Sequence, residues 1–136
     1  MRKKTYLDTR LVHVYQNDKI TVAKCHCYIN LDQLPVDRVS LQGVILKYFP
    51  MIDFNGEFDV VGKSRRNAED EFDTNIGLYL AESKAQQKAY DIANKFYAKI
   101  KTIILDSLNE VELLERNTKS CKEHCREHIV ELGKIN

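Results

Sequence analysis

Three cations follow a glycine in the middle of the chain and form the strongest candidate for an anion-binding site. Lys63, Arg65 and Arg66 come directly after Gly62, and Asn67 follows them at the approach to a long helical pattern. Unpaired backbone N–H groups at a helix N-terminus favour anions, and arginine can bind phosphate through two parallel hydrogen bonds. The spacing therefore predicts a phosphate-binding turn between a strand and a helix.

The Gly62-Lys63-Ser64 triplet does not complete a P-loop for nucleotide hydrolysis. That motif needs four residues between its two glycines and a helix directly after its Ser or Thr. Here five residues separate Gly56 from Gly62, and Arg65 follows Ser64. The spacing argues against a nucleotide triphosphatase.

An aromatic ring and a group of acids follow the cations. Phe72 lies one short turn beyond them, where it can stack on a base. Glu69, Asp70 and Glu71 are nearer neighbours, and ion pairs of this local kind are common and weakly stabilising. Two interpretations stay open: a ligand site built from the cations and Phe72, or a solvated basic loop paired with the acids.

Four side chains that can bind metal lie close together near the C-terminus: Cys121, His124, Cys125 and His128. At helical spacing they share one face, and a pair at i, i+4 supplies two ligands. One helix cannot surround a tetrahedral ion, so further ligands have to come from a second subunit or from Cys25 and Cys27. The favoured alternative is two half-buried thiols and two surface imidazoles without metal.

No set of side chains indicates catalysis. His13 and His26 lie on adjacent predicted strands and are interpreted as packing or surface residues. The acids of segment 69–73 are explained by the favourable position of carboxylates in the first turn of a helix. We therefore expect a protein that is not an enzyme and needs no cofactor.

Composition fits one domain spanning 1–136. Hydrophobic residues make up 43% and charged residues 30%, while 21 basic and 20 acidic residues nearly balance. This balance disfavours nucleic acid as a partner, because such proteins are usually basic. No apolar run approaches ~18 residues and no export signal is evident. We expect no membrane partner and a cytoplasmic location with reduced cysteines.

The first half of the chain, 1–62, predicts an antiparallel sheet of about four strands. The strand candidates are 5–16, 19–30, 39–49 and 57–62, rich in Val, Ile, Thr and Tyr. Asn17 and Asp18 favour a tight hairpin turn between the first two. Gly43 is interpreted as a bulge in the third, which Pro50 ends. Segment 31–38 is expected to be a connection with at most one helical turn.

The second half, 68–132, predicts long helices, which makes the fold class α+β. A stripe repeats every eleven residues, near 3.67 residues per turn. It comprises Leu78, Ala81, Ala85, Ala89, Ile92, Phe96, Ile100, Ile103, Ser107, Val111 and Leu114. One small sheet cannot cover so long a stripe, so we expect a homo-oligomer joined through the helices. A break near 109–112 is the alternative, and Gly133 is the expected helix stop.

The segment 61–88, VGKSRRNAEDEFDTNIGLYLAESKAQQK, resembles a block common in small phage proteins. In that block a strand ends in a basic or Cys-containing turn, an acidic D-E-F-D follows, and a helix begins with I-G-x-x-x-A. The block covers about a fifth of the chain. With its sheet first and its helices last, the chain also resembles the phage anti-Thoeris sponge, the first anti-defence family described against that system.

The resemblance implies a non-enzymatic anti-defence protein in the cytoplasm of the host cell. Such sponges bind cyclic ADP-ribose isomers made by the host's TIR-domain protein, and some bind cyclic di- or trinucleotides. They work as oligomers with ligand pockets shared between protomers. The residues carried over as ligand-binding are Lys63, Arg65, Arg66, Asn67 and Phe72. In this interpretation Arg65 and Arg66 clamp phosphates, and Phe72 or Tyr79 stacks on a base.

Two other functions remain as alternatives. A phage protein can inhibit a host factor through the long helical face and the mixed-charge tail. A nucleic-acid-binding protein can use the same basic turn, and its binding would weaken steeply with salt.

Overall fold

The computed structural model describes residues 7–66 and 74–135, which form an α+β fold with a three-stranded antiparallel sheet followed by a long helix. The elements are β1 (Leu7–Gln16), β2 (Ile20–Ile29), α1 (Arg38–Tyr48), β3 (Glu57–Arg65) and α2 (Thr74–Ile135). A single 3-10 turn, Leu31–Gln33, follows β2. Contacts divide the chain into two compact units, Met1–Ala98 and Lys99–Asn136.

The strands lie in the order β1-β2-β3, each antiparallel to its neighbour. The hairpin expected between the first two strands is confirmed. The Asn17 side-chain oxygen accepts hydrogen bonds from the backbone N–H groups of Lys19 and Ile20, both at 2.8 Å. This Asx arrangement holds the turn closed, because the Asn17 side chain accepts from two backbone N–H groups of the short connection.

Alternation along the strands gives the sheet two different faces. On β2, Ala23, Cys25, Cys27 and Ile29 are fully buried, and we call their side the inner face. The residues between them point to the opposite side, which we call the outer face and which is exposed or half-buried. Among the residues that the structure describes, the sheet is therefore packed on one side only, as antiparallel sheets commonly are.

The first stretch of α2 (74–98) lies against the inner face at Gly62. A Cβ at this position would collide with the carbonyl oxygen of Ala81 and lie 2.5 Å from the backbone nitrogen of Ala85. Ala89 and Ala93 continue the buried row of small side chains along the helix. Small residues on both elements thus let the helix backbone approach the strand more closely than larger side chains would allow.

The expectation that 39–49 forms a strand is wrong, because these residues lie in α1 and its C-cap. Asp37 caps the helix: its carboxylate accepts from the Ser40 backbone N–H at 3.1 Å and from the Ser40 hydroxyl at 2.7 Å. Leu41, Val44 and Ile45 then form its buried side, a helical spacing. Gly43 is a helix residue and not a strand bulge. The sheet consequently has three strands, not four.

Large side chains complete the core at the end of α1. Phe49, the C-cap of this helix, meets Phe96 of α2 edge to face, with ring centroids 5.3 Å apart. Phe96 is fully buried, as is Ile52 in the turn that follows α1. Gly56 closes that turn with φ of 89°, a backbone angle that favours glycine.

The second stretch of α2 (99–135) continues as helix through the region where a break was considered. The break near 109–112 is therefore absent, and Gly133 lies inside the helix rather than at its end. From Ile104 to Lys134 every described side chain is exposed. Among the described residues, no helix is long and apolar enough to cross a membrane.

Candidate functional site

Lys63 and Arg65 belong to β3 and project from its outer face. The expectation that they lie in a turn beyond the strand is wrong, because the alternation of β3 continues past Gly62 to Arg65. Gly62 and Ser64 occupy the buried positions, while Lys63 and Arg65 are exposed between and after them. Neither cationic side chain has a hydrogen-bond or ion-pair partner among the described residues. Lys63 and Arg65 are therefore two unpaired cations, two residues apart on the same face of β3.

Arg66 has a different position from Arg65. Its backbone N–H donates to the Lys19 carbonyl oxygen at 3.0 Å, and its guanidinium donates to the Asp18 carbonyl oxygen at 3.4 Å. These bonds join the end of β3 to the β1–β2 turn. Arg65 and Arg66 therefore do not point the same way from one turn, and Lys63 is the cation that shares the face of Arg65.

The other expected ligand residues are not brought to this face. Asn67 and Phe72, the last two residues of the predicted site, lie outside the described residues. Tyr79 is exposed on α2, the helix that packs on the inner face of the sheet, so it does not border Lys63 or Arg65.

A tyrosine that the sequence did not single out completes the arrangement. Tyr15 pairs with Val22, and Val22 pairs with Lys63, so these three side chains form one row across the outer face. Ile20 pairs with Arg65 in the next row. Tyr15 is 55% exposed. Because adjacent strands lie about 4.8 Å apart, the tyrosine and the lysine stand roughly 10 Å apart across β2.

The opposite end of the outer face carries an ion-pair network. The His26 Nδ1 lies 2.7 Å from an Asp59 carboxylate oxygen, and its Nε2 lies 3.6 Å from Glu57. Lys24 reaches the other Asp59 oxygen at 3.5 Å. The hydrogen bond to Asp59 raises the pKa of His26, with the Glu57 carboxylate adding to it, and the same bond lowers the pKa of Asp59.

In this network His26 bridges two carboxylates and is not placed to abstract a proton from a substrate. A general base needs a free ring nitrogen within hydrogen-bond reach of its substrate. Both nitrogens of His26 face carboxylates instead, and its raised pKa favours the charged imidazolium. His26, interpreted from sequence as a packing or surface residue, is thus an ion-paired residue of the outer face.

The two ends of the outer face therefore differ in how their charges are paired. Towards the β1–β2 turn it presents Lys63, Arg65 and the Tyr15 ring, whereas Asp59 and Glu57 lie towards the other end. An aromatic ring offers a stacking surface to a nucleobase, and unpaired cations attract phosphate. The basic end can accommodate an anion attached to a planar ring, and we call it the basic–aromatic patch: Tyr15, Val22, Lys63 and Arg65.

The cysteines fall into two chemically different pairs. Cys25 and Cys27 share the inner face, as their spacing predicted, and are fully buried. Burial raises the pKa of both thiols, that of Cys27 to about 11, so they stay protonated and are poor metal ligands. Cys121 and Cys125 are exposed on α2, where half-buried thiols were expected. Within one chain, the described residues contain no group of three side chains able to hold a metal.

Comparisons of the chain with protein-family models, with curated proteins and with solved structures gave no match.

Proposed function

We propose that this protein is a phage-encoded anti-defence protein that binds a cyclic nucleotide signal and holds it without converting it. The ligand class is a cyclic ADP-ribose isomer or a cyclic oligonucleotide, present in the cytoplasm of the host cell. The proposal includes a homo-oligomer joined through α2. The resemblance of segment 61–88 to the phage block supports its origin and ligand class, and the basic–aromatic patch supports its chemistry.

One observation carries the proposal: Tyr15, Val22 and Lys63 lie in a single row with Arg65 beside it. A nucleotide lying across β2 places its base on the Tyr15 ring and a phosphate near the two cations. Both cations lack partners among the described residues, so phosphate does not have to displace an existing ion pair. The strand backbone fixes the spacing of all these groups, which lowers the cost of ordering them around a ligand.

The same residues lead us to expect that the nucleotide is bound without being converted. The patch contains cations, an aliphatic side chain and a tyrosine, and no nucleophile paired with a base. The nearest histidine along the same strand face, His13, pairs with Lys24 in the register of β1 and β2. We therefore expect this face to bind a phosphate ester without cleaving it, because no nucleophile is paired with a base there among the described residues.

Isothermal titration against cyclic ADP-ribose isomers and cyclic di- and trinucleotides tests the proposal. We expect sub-micromolar binding to at least one of them and recovery of unchanged ligand by chromatography. The Lys63→Ala/Arg65→Ala variant should bind roughly 100-fold more weakly or worse, because each hydrogen bond to a charged group contributes about 1.5–3 kcal/mol. No binding across the panel, or conversion of the ligand, contradicts the proposal.

The matched control removes two cations elsewhere in the same unit. Lys84 and Lys95 are exposed on α2, and Lys84→Ala/Lys95→Ala changes the net charge by the same amount. Its affinity should equal that of the wild type, since these residues are not on the outer face. Equal losses in both double variants would mean that net charge, and not the patch, determines binding.

A single nucleic-acid strand is the second candidate ligand. An open sheet face with an exposed tyrosine and flanking cations is also the layout on which single strands stack. The near balance of charges weighs against it. Binding of oligonucleotides that falls steeply with salt, together with no binding of cyclic nucleotides, would favour this candidate.

A further inference from the structure

The second stretch of α2 presents two parallel rows of residues along one side. Ile104, Val111, Thr118, Cys125 and Leu132 form the first row, each seven residues after the one before. Ser107, Leu114, Cys121 and His128 belong to the second row, which has the same period and lies between them. Alternating steps of three and four residues are the heptad pattern of a two-stranded coiled coil. We call these two rows the C-terminal seam.

The side chains of the seam are exposed in the single chain. Leu114 is 65% exposed and Val111 is 60% exposed. Leaving the apolar members of this seam in water is costly, and exposed apolar rows mark interaction surfaces.

We infer that the C-terminal seam pairs in parallel with the seam of a second copy, and that Cys121 and Cys125 of both copies together hold one Zn²⁺ ion. This site is separate from the basic–aromatic patch, and it shares with the proposed function only the homo-oligomer joined through α2. It goes beyond a helical oligomer because each copy contributes two ligands to a site that neither can form alone.

The residue types favour a second copy in parallel orientation. The first row has β-branched residues at Ile104, Val111 and Thr118, and the second has a leucine at Leu114. This combination favours parallel dimers. In a parallel pair each residue of the seam lies opposite the same residue of the second copy, along the whole seam.

The area of the seam explains why metal matters to this pairing. From Ile104 to Leu132 the helix rises about 42 Å, and with a helix diameter of 10–12 Å each copy contributes about 400–500 Å². The total of about 1,000 Å² is at the lower limit for a specific interface. The polar Thr118 weakens it further. We expect a weak dimer without metal and a stable one with it.

The cysteines have the chemistry and spacing that a zinc site needs. Cys121 and Cys125 are four residues apart on one helix, so their side chains are neighbours, and they occupy consecutive layers of the seam. In the parallel pair four thiols converge, lose their protons to solvent and present four thiolates. Tetrahedral Zn²⁺ takes four such ligands at about 2.3 Å. Thiolates also disfavour Mg²⁺ and Ca²⁺, which prefer oxygen ligands.

Within one chain no alternative set competes with this one. The described residues of a single copy offer no group of three metal-binding side chains. Cys25 and Cys27 are buried in the core and protonated. His128 lies one layer beyond Cys125, so the inference assigns the ion to the four thiolates and not to a mixed Cys/His set.

Titration of the reduced full-length protein with Co²⁺, the spectroscopic substitute for Zn²⁺, tests the inference. We expect saturation at one Co²⁺ per two chains, with visible bands of a tetrahedral site and strong sulfur-to-cobalt charge transfer. Light scattering should report a dimer whose dissociation constant rises at least ~100-fold in EDTA, as for folding and assembly linked to metal binding. No Co²⁺ binding, or one ion per chain, would overturn the inference.

Three variants separate the ligands from the seam. Cys121→Ser/Cys125→Ser should abolish the spectrum and leave the weak, EDTA-independent dimer. His128→Ala should keep the spectrum, and its loss would overturn the four-thiolate set. Leu114→Glu should give a monomer that binds no Co²⁺ at one ion per two chains. Its control, Leu113→Glu, makes the same change at a 53%-exposed neighbour off the seam and should behave as wild type.

Mild oxidation of the metal-free protein tests the orientation. Parallel pairing predicts disulfides between identical residues, Cys121 with Cys121 and Cys125 with Cys125 of the other copy. Predominant cross-links from Cys121 of one copy to Cys125 of the other would show an antiparallel pair and contradict the inference.

Discussion

The two faces of the three-stranded sheet are formed by alternate residues of the same strands, but they differ in burial and charge. On β3, Gly62 is buried under α2 while its neighbour Lys63 is exposed, and on β2, Cys27 is buried while its neighbour His26 pairs with acids. The inner face fixes the fold through close contact of backbone and small side chains. The outer face adds little to packing, so its residues are free to carry charge and an aromatic ring.

The largest effect is expected from filling the close contact of the inner face with Gly62→Ala. The added Cβ meets the backbone of Ala81 and Ala85, which cannot move without displacing α2. Overpacking of this kind should lower the free energy of unfolding by about 3 kcal/mol. Urea denaturation monitored by circular dichroism measures it.

Two controls accompany this substitution. Lys63→Ala, one residue away on the outer face, should change stability by less than about 0.5 kcal/mol. Gly43→Ala lies in α1 with no atom within 4 Å of the new Cβ and should stabilise the protein by about 0.5–1 kcal/mol. A loss for Gly62→Ala no larger than that for Lys63→Ala would contradict the packing described for the inner face.

A smaller effect is expected from Cys27→Ser. The fully buried Cys27 thiol has one weak contact, to the Cys25 carbonyl oxygen at 3.9 Å. A hydroxyl in its place is a buried polar group with a poor partner, which should cost about 1–3 kcal/mol. Cys121→Ser makes the same change at an exposed site and should be neutral in the urea unfolding of metal-free protein. Equal costs would show that Cys27 is not in a sealed core.

The smallest effect is expected at the outer-face network, from His26→Gln. The Asp59 carboxylate raises the pKa of His26, so the contribution of His26 to stability is complete below about pH 6.5 and is lost as pH rises through the raised value. The lowered pKa of Asp59 makes its contribution disappear only as the solution becomes strongly acidic. Both contributions are therefore present together between about pH 4 and 6.5.

Urea unfolding at pH 5.5 and pH 8.5 measures this contribution. The wild type should lose more stability than His26→Gln over that interval, by less than about 1 kcal/mol because the pair is largely exposed. Identical pH dependence in the two proteins would show that the network does not act on folding.

Much of the fold can be predicted from local patterns in the sequence. The β1–β2 hairpin and the helical second half were predicted because Asn17 and the apolar repeat are local signals. The strand predicted over 39–49 failed because its apolar run fits a strand and a buried helix equally well. The spacing of Leu41, Val44 and Ile45 with an Asp37 cap was the signal that distinguishes them.

The candidate site was only partly predictable, since it is formed by register between strands. The types of Lys63 and Arg65 pointed to an anion, and the continued alternation after Gly62 was a signal that β3 extends further than expected. Tyr15 lies 48 residues before Lys63 in the chain, and nothing local links them. Only the pairing of both with Val22 brings them into one row.

The location of the ligand on the outer face is tested most directly by nuclear magnetic resonance. Backbone amide signals of the full-length protein would be followed during titration with the tightest cyclic nucleotide of the calorimetric panel. We predict that the shifted amide signals are concentrated at Tyr15, Val22, Lys63 and Arg65, and that those of Cys27 and Ala85 on the inner side are unchanged. Shifts confined to other parts of the chain, or none with any cyclic nucleotide, would contradict it.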